Sequence, residues 1–217
     1  MVPICLFAYS FVSAGDNVID LKPVKQWIEH QSEVKSVAAK FVQERQLKAL
    51  KRPIINSGKL WFKFPGLFRW ELGVPAKSVV LQRDGKLLLL RPLKKTGQTY
   101  SGGQGNKRIR RPGIDFFEAG FPRNYKDFTA NFTVIGVKLE GGSFFFTAKV
   151  NDRRSMLALR KIVFQVNAAS FYTEGVVLRF RDSSSVMTRF SEIRENTELG
   201  NSIFTIDLSD YTLAEGN

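Results

Sequence analysis

Pro65-Gly66 splits an aromatic run, with Gly58-Lys59-Leu60-Trp61-Phe62-Lys63-Phe64 before it and Leu67-Phe68-Arg69-Trp70-Glu71-Leu72 after it. An antiparallel hairpin is the arrangement that satisfies this pattern. Pro65 presets φ for the first central position of a type II turn, Gly66 supplies the positive φ of the second, and the flanks alternate apolar with polar residues as strands do. Alternation puts Leu60, Phe62 and Phe64 on one face and Lys59, Trp61 and Lys63 on the other. Large aromatics therefore fall on both faces. Two readings fit this: helices cover both faces, or one face is an apolar surface for a ligand or partner.

The same period-2 pattern recurs along the chain. Asp84-Gly85, between apolar residues 78–82 and 86–90, is the strongest short hairpin signal. With residues 37–47, 54–63 and 67–72 it implies successive antiparallel strands. Residues 132–139, 143–150, 159–166, 175–181 and 186–193 read as further strands, with a Gly141-Gly142 turn, and residues 202–208 are expected to close the sheet. Residues 20–31 read as an amphipathic helix, with Asp20 as cap, Pro23 in the first turn and an apolar stripe of Leu21, Val24, Trp27 and Ile28. Residues 114–122 read as a short helix whose Phe116, Phe117 and Phe121 are too apolar for an exposed element. No linker separates the halves. The expected fold is α+β, mainly antiparallel β, with one continuous sheet and helices on one side.

Residues 2–14 form an apolar run ending in Val12-Ser13-Ala14. It looks like a signal peptide with cleavage after Ala14, although no Lys or Arg precedes it; a buried N-terminal strand is the alternative. The expected division is a leader at 1–14 and a single exported domain at 15–217. The one cysteine, Cys5, lies in the leader, so the mature chain would carry no thiol, as suits an oxidising compartment.

The net charge of +13 predicts attraction to anionic surfaces: phospholipid head groups, lipopolysaccharide, acidic proteins or nucleic acid. Between 91 and 111 the cations Arg91, Lys94, Lys95, Lys107, Arg108, Arg110 and Arg111 occur without an acid, around Ser101-Gly102-Gly103-Gln104-Gly105. This reads as a basic loop, either solvated or contacting anionic lipid or an acidic partner.

Catalytic patterns are missing. With one histidine and no mature cysteine, zinc sites and Cys-His nucleophiles are excluded, and a Ser-His-Asp triad would have to use His30. His30, at a helix end, reads as a locally bonded side chain. No nucleophile elbow, Walker or dinucleotide fingerprint occurs. Glu140, Asp152, Glu174 and Asp182 stand in no suggestive local pattern. The expectation is no enzyme, no cofactor and no metal.

The run from Gly58 to Glu71, followed by Pro75 and Asp84-Gly85, resembles the periplasmic outer-membrane lipoprotein carriers of the LolA family. Phe41-Val42-Gln43-Glu44 is similar to the family's F-x-Q strand. Arg189-Phe190-Ser191-Glu192-Ile193-Arg194-Glu195-Asn196 and Phe204 are similar to its late segment, so the resemblance covers about residues 37–207. It implies an unclosed β-barrel, with helices as a lid over an apolar concave face that takes acyl chains of lipoproteins or lipids. It also implies a monomeric periplasmic carrier loaded by an inner-membrane ABC-type releasing complex and unloaded by an outer-membrane acceptor. On this basis Phe41, Leu60, Phe62, Leu67, Phe68, Trp70, Val80 and Leu88 are expected to line the cavity, with Phe116, Phe117 and Phe121 covering it. Phe68 stands where the family has a Phe important for cargo transfer. Phe64 stands where the best-known carriers have an Arg that helps close the lid.

Two other functions remain in view. One is a relative of the same fold that docks a partner or an anionic membrane through the basic loop. The other is a nucleic-acid binder, suggested by basic charge with interleaved aromatics such as Phe62 and Phe68; export of the chain speaks against it, and no nucleic-acid partner is expected.

Overall fold

Val24, Trp27, Ile28 and Gln31 follow i, i+3, i+4, i+7 spacing, and these are the residues that helix α1 (Lys22–Glu33) buries. Pro23 sits in the first turn, where its missing N–H leaves no bond unmade. Asp20 Oδ1 accepts the Lys22 backbone N–H at 2.9 Å. The computed structural model describes residues 19–101 and 122–216. The expected leader, Phe116, Phe117, Phe121, Lys107, Arg108, Arg110 and Arg111 lie outside the described residues.

Twelve strands of the described residues form one sheet: β1 (Ser36–Gln46), β2 (Ile54–Lys63), β3 (Leu67–Leu72), β4 (Ser78–Arg83), β5 (Lys86–Arg91), β6 (Thr96–Ser101), β7 (Phe132–Glu140), β8 (Ser143–Val150), β9 (Leu159–Asn167), β10 (Thr173–Phe180), β11 (Ser185–Glu195) and β12 (Thr212–Glu215). Two short helices, α2 (Tyr125–Asn131) and α3 (Arg153–Ala158), flank the β7–β8 hairpin. The order is β12-β6-β5-β4-β3-β2-β1-β11-β10-β9-β8-β7, antiparallel throughout except that β12 lies parallel to β6. Among the described residues the two end strands do not pair, so the sheet is an open barrel.

Three local expectations are corrected. Residues 96–101, read as part of the basic loop, form β6; the polar Thr-Gly-Gln-Thr sequence hid a strand whose partner is the all-leucine β5. Residues 202–208 do not close the sheet: Asn201–Phe204 is a 3-10 turn with Phe204 buried, and the last strand is β12. The β2–β3 connection is one residue longer than a two-residue turn. Gly66 has the expected positive φ of 76°, but Lys63 rather than Phe64 faces Leu67.

Directly opposed residues share a face, which allows one face to be followed across the sheet. Phe146 opposes Phe164, Phe164 opposes Val176, and Val176 opposes Thr188. Two residues along, Phe190 opposes Phe41, which faces Gly58; from there Leu60 leads to Trp70, Val80 and Leu89. α1 packs on this inner face through Trp27, whose ring centroid lies 5.1 Å from that of Phe164, 5.6 Å from Phe146 and 5.7 Å from Phe128 of α2. Trp27 Nε1 donates to Thr173 Oγ1 at 3.1 Å, so its polar atom is satisfied in the core. A buried indole removes about 150–250 Å² from water, roughly 4–6 kcal/mol gross, which makes Trp27 the anchor of α1.

Candidate functional site: the apolar inner face

The inner face carries two apolar clusters side by side. Over β7–β10, Phe146, Ile162, Phe164 and Val166 are covered by α1 and α2. Over β1–β5, Phe41, Leu60, Phe68, Trp70, Val80 and Leu87 pack together, with Phe62, Leu72, Leu89, Tyr100 and Phe190 against them. Among the described residues, every member of this second cluster comes from the sheet itself.

Its centre is a stack. The Phe41 and Trp70 rings lie 3.7 Å apart at 22°, and Phe190 meets both edge-on. The stack exists because Phe41 lies across Gly58: a Cβ at position 58 would stand 2.1 Å from Phe41 Cζ and 2.2 Å from the Glu71 carbonyl oxygen. Gly58 is therefore a space requirement, and it begins the motif for a structural reason.

Where the two clusters meet, Val37, Ala39, Leu60, Thr173, Phe190, Ile193 and Glu195 line a cavity of about 10 Å³. That is room for about one water, against about 300 Å³ or more for a ligand pocket. Among the described residues, this junction is filled by its own side chains.

Five of the expected lining residues, Phe41, Leu60, Phe68, Trp70 and Val80, fall in the second cluster, with Phe62 against it. Leu67 and Leu88 do not: they lie on the outer face with Ala38, Leu81, Leu199 and Phe204. Register explains both. Lys63 faces Leu67, and the two-residue Asp84-Gly85 turn places Leu88 opposite Leu81 while Leu87 and Leu89 turn inward. Leu87, Leu89, Tyr100 and Phe190 are inner-face residues that sequence reasoning missed, and counting outward from Asp84-Gly85 would have found the two leucines.

The closing contacts are also rearranged. Arg69 lies on the outer face, where its Nη1 donates to the carbonyls of Ile203 (2.8 Å) and Thr205 (3.1 Å) and its Nη2 lies 2.6 Å from Glu71 Oε1. It fastens the C-terminal segment and does not serve the inner face. At the hairpin tip, Phe64 meets a different arginine: the Arg123 guanidinium carbon is 4.4 Å from the Phe64 ring centroid. Arg123 also donates to the carbonyls of Gln31 (2.8 Å), Ser32 (2.7 Å) and Val34, the last turn of α1. One side chain thus caps the C-terminus of α1 and ties it to the β2–β3 hairpin. Burial lowers the Arg123 pKa from the usual guanidinium value.

The buried charge nearest the cavity is Glu195, whose side chain is 7% exposed and accepts or shares a proton with His30 Nε2 at 2.7 Å. Burial raises its pKa, more than His30 and Gln31 lower it. Gln31, itself buried, has its Oε1 without a hydrogen-bond partner among the described residues. Among the described residues no group of three or more His, Cys, Asp or Glu is placed to hold a metal, and no helix is long and apolar enough to cross a membrane. Of the expected anionic contacts, Arg91, Lys94 and Lys95 are exposed at the end of β5 and in the turn that follows.

Comparison with known proteins agrees with this architecture. The family model described as outer membrane lipoprotein carrier protein LolA matches residues 32–207. No curated protein matches. Among solved structures, an uncharacterized conserved protein from Thermus thermophilus is similar with a TM-score of 0.53 at 8% identity, over 89% of this chain and 99% of that one. A LolA superfamily protein from Nitrosomonas europaea gives a TM-score of 0.41 at 10% identity, over 83% and 96%. Lipoprotein LppX from Mycobacterium tuberculosis gives the same values.

Proposed function

The chain belongs to the outer membrane lipoprotein carrier protein LolA family, and from that premise we propose that its inner face takes up acyl chains of lipoproteins or lipids and carries them across the periplasm, between inner and outer membranes. The observation that carries this reading is the second cluster: a contiguous aromatic and aliphatic face beside the half that α1 covers. Each acyl CH₂ removed from water contributes about 0.8 kcal/mol, so one long chain contributes roughly ten. Opening the inner face first exposes the side chains that fill it, and that cost offsets part of the gain. A carrier needs such an offset, because cargo held at the full hydrophobic free energy would not leave.

On this reading residues 15–217 act as one exported domain after loss of the leader. Loading comes from an inner-membrane ABC-type complex and delivery goes to an outer-membrane acceptor. No catalytic step is required.

The test is native mass spectrometry of the protein purified from its own host without detergent, with lipid extraction of any adduct. The expected result is a bound acylated species that is lost in Phe62→Glu, a half-buried inner-face position, while circular dichroism stays unchanged. A clean apo mass that takes up neither lipid nor hydrophobic dye would refute the carrier reading, leaving a docking relative of the same fold.

A further inference from the structure

Strand direction sorts the connections between strands into two rims. One rim carries residues 47–53 between β1 and β2, 73–77 between β3 and β4, 92–95 between β5 and β6, 181–184 between β10 and β11, and the α3 segment between β8 and β9. Neighbouring connections in this row are two strand spacings apart, about 10 Å.

Four of the five raise an apolar side chain into solvent. Val74 is 78%, Leu93 67% and Leu157 80% exposed, and Leu50 is exposed as well. Beside each stands an exposed cation: Lys51 next to Leu50, Lys77 near Val74, Lys94 next to Leu93 and Arg153 near Leu157. Arg181 occupies the fifth connection. The five connections hold two acids, Asp152 and Asp182, against nine lysines and arginines; the two carboxylates accept backbone N–H groups from Ser155 and Ser184 at 2.9 Å, and Asp210 beside the rim lies 3.6 Å from Lys95. The opposite rim also raises apolar side chains, Phe64 and Leu139, but its connections at 64–66, 84–85, 141–142 and 168–172 hold no lysine or arginine. Of the cations flanking them, Arg83 is paired with Asp84 at 3.1 Å and Lys138 with Glu140 at 2.6 Å.

An apolar tip beside a cation is the composition that enters the interfacial layer of an anionic bilayer: the tip buries surface among acyl chains while the cation meets phosphate. A nucleic acid would use the cations but offers nothing to an isolated valine or leucine raised on a loop. We infer that this rim docks the protein on an anionic phospholipid surface. The inference goes beyond acyl-chain carriage and uses different residues from it.

The experiment is co-sedimentation of the leader-less chain with vesicles of phosphatidylcholine alone or mixed with phosphatidylglycerol, at low and high salt. Binding is expected only to the mixed vesicles, and reversibly lost at high salt. Lys94→Glu should weaken it by about five-fold or more, since one cation near such a surface contributes a factor of that size. Lys86→Glu, the same charge change on the opposite rim, should leave it unaltered. Val74→Asp combined with Leu93→Asp should abolish it, with the thermal midpoint unchanged because both side chains are exposed. Equal loss in Lys86→Glu and Lys94→Glu, indifference to the Val74/Leu93 pair, or binding to an oligonucleotide but not to vesicles would overturn the inference. Loss of vesicle binding in Phe62→Glu would overturn it too, by tracing sedimentation to cargo capture, and would leave the carrier reading standing.

Discussion

Replacing Gly58 by alanine tests the packing of the inner face most sharply. The new methyl would stand 2.1 Å from Phe41 Cζ and 2.2 Å from the Glu71 carbonyl oxygen, where relaxed carbon contacts lie at about 3.5–4.0 Å. Something must move by more than an ångström. The carbonyl belongs to β3 and cannot move without disturbing the ladder, and the Phe41 ring is held 3.7 Å from Trp70. Overpacking costs about 1–3 kcal/mol when a core adapts, and losing a buried phenyl outright costs about 3–5. Gly58→Ala should therefore lose about 2–4 kcal/mol, a fall in midpoint of about 5–15 °C for a domain of this size. Thermal and urea unfolding of Gly58→Ala, Phe41→Ala and the double variant form the assay. If the ring is the main obstacle, the double variant loses less than the sum of the singles by about 1–3 kcal/mol. A Gly58→Ala midpoint within about 1 °C of the parent would refute the argument, and strictly additive losses would show that the carbonyl alone sets the requirement.

Arg123→Ala removes three charge-assisted bonds and a cation–π contact, for an expected loss of about 2–3 kcal/mol, whereas Phe64→Leu should lose only about 0.5–1; equal losses in urea melts would contradict the double role of Arg123. Glu195 has a raised pKa, so the stability linked to its proton is present below its unfolded pKa and disappears as pH rises through the folded one. Glu195→Gln should then melt like the parent near about pH 4 and higher than the parent at about pH 8. A lower midpoint for the variant at the alkaline end would mean that the contact with His30 outweighs burial.

Much of the architecture was legible because its signals are local. Asp84-Gly85 and the period-2 runs located β1–β5 and β7–β11 nearly to the residue, and the Val24, Trp27, Ile28 stripe located α1. The failures share one cause, dependence on partners distant in sequence. β6 is a polar Thr-Gly-Gln-Thr strand that only its neighbours make visible, and β12 is recognisable only from its parallel pairing with β6. Assigning residues to faces failed at Leu67 and Leu88 because a run of four leucines carries no parity, and because one extra residue at Phe64-Pro65-Gly66 reverses the faces of everything after it. Arg123 was invisible as a fastening for α1: nothing local marks an arginine that reaches back 89 residues or more.

β1 sits in the middle of the sheet, yet its two neighbours arrive at different times. β2 follows it through a short turn, whereas β11 is so remote that the Ser36 hydroxyl donates to the Thr197 carbonyl across 161 residues of chain. Pairing β1 with β11 must therefore close a long loop, an entropic cost that the neighbouring β1–β2 hairpin does not carry. Without β11 the half-sheet β1–β6 would offer the bare edge of β1, with Ala38, Val42 and the aromatic inner face beside it, to any other chain. A substitution that weakens β11 is accordingly expected to lower the yield of refolded protein more than it lowers the melting temperature, and equal effects on both would refute this.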